Sequence, residues 1–104
     1  MKLRFHSAAR EEARQAYRYY ARIDEALAQD FEVRLTEALN KIAHYPEAYP
    51  VRRYNVRRCN LVRFKMYYVA YTILDDHIQI LAIGHGWRHP YYWHPRTEQN
   101  QGLG

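Results

Sequence analysis

The chain has 104 residues, a single cysteine and a formal net charge of +5 at pH 7. That length excludes several domains yet suffices for one core without metal or disulfide staples, and Cys59 alone excludes an internal disulfide. No apolar run of signal-peptide or membrane-spanning length is found, so the expectation is a soluble cytoplasmic protein without membrane contact.

The charge is unevenly divided. Residues 1–50 carry eight Lys/Arg and eight Asp/Glu, a balance of zero. Residues 51–96 carry eight Lys/Arg against only Asp75 and Asp76, a balance of +6. Such asymmetry points to an anionic partner, nucleic acid or an acidic protein segment, or else to a solvated basic surface with no ligand.

Leu3 and Phe5 alternate with polar neighbours and predict a short first strand. Ser7 is a suitable N-cap for a helix over 8–23, with Glu11 and Glu12 placed in its first turn. Ala9, Ala13, Ala16, Tyr17 and Tyr20 recur at helical spacing, opposite the charged face Arg10, Arg14, Arg18 and Arg22. Asp24 caps a second helix from Glu25 to about His44, whose apolar stripe is Leu27, Phe31, Leu35, Ala38, Leu39 and Ile42. Tyr45-Pro46 ends it, because a residue before proline is pushed out of the helical region. With almost nothing between them, the two helices form an antiparallel hairpin that packs on a sheet.

From Val51 the chain becomes basic and extended. Segments 51–54 and 56–59 read as one irregular strand or as two pieces broken at Asn55. Two apolar runs follow, joined by an Asp75-Asp76 turn. Val69, Tyr71 and Ile73 face one side of the first run, with Tyr68, Ala70, Thr72 and Leu74 on the other. Residues 78–83 are nearly continuously apolar, as in a strand covered on both faces. The fold expected is therefore α+β: a short strand, a helical hairpin, then a mainly antiparallel sheet of three to four strands. Residues 1–96 form one domain, and the polar stretch 97–104 is expected to be a disordered tail.

After Gly84 the apolar pattern stops and His, Trp, Arg and Tyr crowd the chain. Arg57, Arg58 and Arg88 are suited to phosphate, His85 to proton transfer and Tyr92 or Trp93 to stacking on a base. The same residues have plain structural readings. His85 is a hydrogen-bonded strand end, Tyr92 and Trp93 fold back over the core, and Arg58 pairs with an acid of the helical half such as Glu12. His85, His89 and His94 lack the spacing and companions of a zinc site, so neither metal nor cofactor is expected.

The order and spacing of several motifs resemble the RelE/ParE superfamily of type II toxin–antitoxin toxins, over nearly the whole chain. They are Phe5-His6-x-x-Ala9 with an acidic helix start, Tyr19-Tyr20, Phe31, Ile42-x-x-x-Pro46 and Arg57-Arg58. Phe64, the Asp75-Asp76 turn, Ile80-Leu81-Ala82-Ile83-x-His85 and Arg88-x-Pro90-x-Tyr92-Trp93 complete the series. The ending is the more ParE-like part, although Phe64-Lys65-Met66 stands where many such sequences have Phe-Pro-Tyr. The resemblance implies a growth-inhibiting, plasmid-stabilisation-type toxin that binds DNA gyrase without chemistry of its own. It also implies neutralisation by a cognate antitoxin in a hetero-oligomer. The alternative implied is a metal-independent, ribosome-dependent mRNA endoribonuclease using Arg57, Arg58, His85, Arg88 and Tyr92. Contacts with target or antitoxin are expected from Arg57, Arg58, Arg63, His85, Arg88, Tyr92 and Trp93, and the antitoxin segment is expected to be acidic to amphipathic and to lie on the basic sheet face.

Overall fold

The computed structural model describes residues 1–98. Strand β1 (Leu3–Phe5) leads into helices α1 (Ser7–Ile23) and α2 (Glu25–His44), followed by β2 (Arg57–Asn60), β3 (Tyr67–Ile73) and β4 (Ile78–His85). The sheet order is β1-β4-β3-β2, with β1 parallel to β4 and the other pairs antiparallel. The predicted α+β architecture is therefore the observed one.

Asp24 alone joins the helices and serves both. Its N–H donates to Tyr20 O at 2.9 Å, closing α1, and its carboxylate accepts from Ala26 N–H at 3.0 Å, opening α2. This is the N-cap arrangement expected from sequence. The start of α1 differs from expectation: His6, not Ser7, is the cap, its Nδ1 accepting from Ala8 N–H at 3.1 Å. Ser7 is already helical, so the first turn holds no acid, and Glu11 and Glu12 come later along the helix.

One sheet face packs on the helical hairpin. Ala9, Ala16, Phe31, Ala38 and Ile42 meet Val69, Tyr71, Ile78, Ile80 and Ile83 there. Tyr20, Phe31, Phe64 and Tyr67 interlock, with centroid separations such as 5.0 Å for Tyr20–Phe64 and for Phe31–Tyr67. Edge-to-face pairs of this kind add ~0.5–1.5 kcal/mol each beyond the area they bury.

The opposite face holds a second core of Val56, Tyr68, Ala70, Leu81, Ala82 and Trp93. A β-bulge makes it possible. Ala70 pairs with Ala82 but Tyr71 pairs with Ile80, leaving Leu81 as the extra residue on β4. One inserted residue flips the alternation. Ile78 and Ile80 thus share the helix-side face with Ile83, while Leu81 and Ala82 both serve the far face. This explains the unbroken apolar run in β4, which is buried on both sides.

Before the sheet, the chain forms a 3₁₀ turn at Arg53–Asn55 and not a strand. The loop before it is tied down by Arg57, whose guanidinium donates to Glu47 O at 3.1 Å and Tyr49 O at 2.6 Å, and by the Tyr71 hydroxyl, which donates to Pro46 O at 2.6 Å. Thr97 and Glu98 belong to a helical stretch, 95–98, in which the Thr97 hydroxyl donates to His94 O at 2.8 Å. The remainder of the expected tail, 99–104, lies outside the described residues. No helix among the described residues is long and apolar enough to cross a membrane.

Candidate functional site

Strand β4 ends at His85, and the turn that follows carries the most exposed large hydrophobic side chain among the described residues, Trp87, at 84%. Gly86 N–H donates to Met66 O at 2.8 Å and Arg88 N–H to His85 O at 3.0 Å, which fixes the turn against the start of β3. His85 packs edge-on to Tyr67 at 4.6 Å between ring centroids. Together with Tyr19, Tyr20 and Trp87 these rings line an open cavity of ≈ 450 Å³. An adjoining depression of ≈ 220 Å³ is bounded by Glu12, Gln15, Tyr19, His85 and Arg88.

Two features hold His85 neutral. Its Nδ1 accepts from Trp87 N–H at 3.1 Å, which requires that nitrogen to be unprotonated. Partial burial also pushes its pKa below the usual histidine value.

Behind the turn lies a carboxylate hub that sequence reading missed. Glu12 on α1 accepts from Ile83 N–H (3.1 Å), Arg88 Nη1 (3.3 Å), the Tyr92 hydroxyl (2.6 Å) and Arg96 Nη1 (2.9 Å). Tyr92 and Arg96 are thereby pinned to α1 and to the edge of β4. Burial, then the bond to Glu12, raise the Tyr92 pKa far above the ordinary tyrosine value. Arg88 lies over the Tyr92 ring at 3.8 Å, which orients a guanidinium that is half exposed. The structural reading in which Arg58 pairs with an acid such as Glu12 does not hold; Arg88 and Arg96 meet Glu12 instead, because the carboxylate reaches the outer edge of β4 while Arg58 lies on β2. The only signal in the sequence was an acid on a helix face opposite a basic segment more than seventy positions away.

The expected site residues separate into groups. His85, Arg88 and Tyr92 come together around Glu12. Arg57 and Arg58 are consecutive on a strand and so point to opposite faces, Arg57 toward the helix-side loop and Arg58 over the Tyr68 ring at 3.7 Å. Arg63 forms an ion pair with Asp30 of α2. Trp93 is only 1% exposed, its indole N–H donating to Tyr68 Oη at 3.1 Å, so it is core and offers no contact surface. The basic sheet face expected from sequence is therefore replaced by a smaller aromatic rim at one end of a sheet whose faces the chain itself covers.

The family model described as ParE toxin of type II toxin-antitoxin system, parDE, matches residues 3–90. Among solved structures, the chain is similar to one from the chromosomal ParDE TA system of P. aeruginosa, with a TM-score of 0.69 and 20% identity. The likeness covers 82% of this chain and 95% of that one. No curated protein sequence matches.

Proposed function

The chain belongs to the ParE toxin family of type II toxin–antitoxin systems, and from that membership we propose that it arrests growth in the cytoplasm by binding DNA gyrase, as a contact inhibitor and not as an enzyme. Such a module includes a partner antitoxin. The observation that carries the reading is the exposed turn at Trp87, flanked by neutral His85 and half-exposed Arg88 and backed by the Glu12 hub. It is an aromatic anchor beside a guanidinium on a rigid support, the composition of a protein-contact hot spot.

The chemistry needed for RNA cleavage is poorly served. A base and an acid must flank the same phosphate. The Tyr92 hydroxyl is engaged by Glu12 and resists ionisation, His85 already spends Nδ1 on a backbone N–H, and Arg57 and Arg58 lie on opposite faces. We further propose that the antitoxin's apolar side chains are received by the groove of ≈ 380 Å³ between the helices, lined by Ala13, Tyr17, Phe31 and Leu35 and rimmed by Arg14, Arg18 and Glu32, in place of the basic sheet face expected from sequence.

The test uses antitoxin-free protein with purified gyrase. Supercoiling should be inhibited or cleavage complexes should accumulate, and Trp87→Ala should abolish the effect while leaving the thermal midpoint unchanged. Indifference of gyrase to a micromolar excess of toxin would rule the reading out.

A further inference from the structure

The Glu12 carboxylate is satisfied without Arg88. Arg96 closes a fork on it, Nη1 to Oε1 at 2.9 Å and Nη2 to Oε2 at 3.0 Å. Ile83 N–H adds a second donor to Oε1 at 3.1 Å, and the Tyr92 hydroxyl a second to Oε2 at 2.6 Å. Arg88 Nη1 comes last, at 3.3 Å, on an oxygen that already accepts two closer donors. Its Nε and Nη2 make no hydrogen bond among the described residues, and its side chain is 53% exposed. Stacking on the Tyr92 ring at 3.8 Å still fixes where the guanidinium lies. Arg88 is thus a positioned cation whose charge the hub does not require.

A second donor stands beside it. Arg88 N–H donates to His85 O at 3.0 Å, so both side chains rise from one turn, and both border the depression of ≈ 220 Å³. Because Nδ1 accepts from Trp87 N–H, the neutral His85 ring carries its proton on Nε2. Among the described residues no acceptor meets that proton. Adjoining the two donors is the cavity of ≈ 450 Å³ walled by Tyr19, Tyr20, Tyr67 and Trp87. No acid lines that cavity, and Glu12, which borders the smaller depression, is only 10% exposed.

We propose that the Arg88 guanidinium and the His85 Nε2–H together receive one carboxylate of a protein partner, an Asp or Glu side chain whose apolar neighbour enters the ring-lined cavity. A guanidinium held in advance binds a carboxylate with little further ordering. A cationic side chain is disfavoured, since it would meet the Arg88 charge and an N–H donor. A nucleic-acid backbone offers a row of phosphates and draws on several cations. Arg88 is the only Lys or Arg lining either depression, which matches a single carboxylate. The inference rests on reading the Trp87 turn as a protein-contact surface, but no gyrase enters its test, so either can fail alone.

The experiment titrates the full, isotope-labelled, antitoxin-free chain with N-acetyl-Phe-Glu-amide, N-acetyl-Phe-Gln-amide and a pentanucleotide. The NMR signals of the Trp87 backbone and indole N–H groups are followed. The Glu peptide should move both signals and bind about tenfold more tightly than the Gln peptide, as expected for one charge-assisted hydrogen bond. Arg88→Gln should bring the two peptides within about twofold of each other. Arg96 still pairs Glu12 in that variant, so its folded spectrum should persist. Arg22→Gln, on α1 and outside both depressions, should keep the tenfold preference. The proposal is overturned if neither signal moves up to about 10 mM Glu peptide, if the parent binds both peptides equally, or if Arg88→Gln keeps the parent's preference. A pentanucleotide that moves the same signals at lower concentration than the Glu peptide would overturn it in favour of nucleic acid.

Discussion

Arg96 closes both terminal nitrogens on the Glu12 carboxylate, Nη1 to Oε1 at 2.9 Å and Nη2 to Oε2 at 3.0 Å, and Nη1 also donates to Leu81 O at 3.0 Å. Side-chain exposures of 10% for Glu12 and 15% for Arg96 make this pair nearly interior, unlike the surface pairs on α1. A fork of this kind joins the last described segment both to the first helix and to the bulge residue of β4. The Trp87 turn leans on that joint.

Removing one partner leaves the other buried and uncompensated, which costs about 3 kcal/mol. Glu12→Ala should therefore lower the thermal midpoint by roughly 12 °C or more in a chain of this size. Replacing both residues, Glu12→Leu with Arg96→Met, should recover much of the loss. A double variant no more stable than Glu12→Ala would show that the pair does not carry the joint.

Gly84 abuts the Tyr68 ring so closely that an added Cβ would fall inside contact distance of its ring carbons and hydroxyl. The ring has nowhere to go, being covered by Arg58 and bonded to Trp93. Gly84→Ala should cost about 1–3 kcal/mol through overpacking. Tyr68→Leu combined with it should relieve the clash, a non-additivity that denaturant unfolding of the two singles and the double would measure.

His85 ties pH to stability. Its folded pKa lies below the unfolded value of about 6.5, so between those two values the unfolded chain binds more protons. The contribution of neutral His85 is fully present above pH ~6.5 and is lost as pH falls. His85→Asn should flatten the fall in stability on the acid side of neutrality. Parallel melting curves for parent and variant across that range would contradict the assignment.

Burial pushes the pKa of Tyr67 and of Tyr71 up to about 12. Here the unfolded chain loses its protons first, so stability present below pH ~10 declines as pH rises toward the folded values. Tyr71→Phe should cost about 1 kcal/mol near neutrality, through the lost bond to Pro46 O, and should soften the alkaline decline. Chemical denaturation at neutral and alkaline pH reads both effects.

Trp87 is so exposed that Trp87→Ala should leave the melting temperature within about 1 °C of the parent, a surface change being worth little to the fold. The same substitution should abolish growth inhibition on induction in a sensitive host. A destabilised but fully toxic Trp87→Ala variant would reverse that assignment of roles.

Local chemistry along the chain was enough to place the element order, the capping of α2 by Asp24, the helix exit at Tyr45-Pro46 and the turn at Asp75-Asp76. Each depends on neighbours a few positions apart, where capping, proline geometry and apolar period act locally. Which groups the arginines meet, by contrast, depended on how the elements pack. Consecutive positions sent Arg57 and Arg58 to opposite faces, Asp30 took Arg63, and Glu12 gathered Arg88, Tyr92 and Arg96. Trp93 folds back over the core, as one reading of the sequence has it, but that it does so in a second core was set by one bulge residue, which turns Leu81 and Ala82 to the same side. A charge on a long side chain finds its partner through space, and periodicity along the chain carries no record of which carboxylate will be within reach.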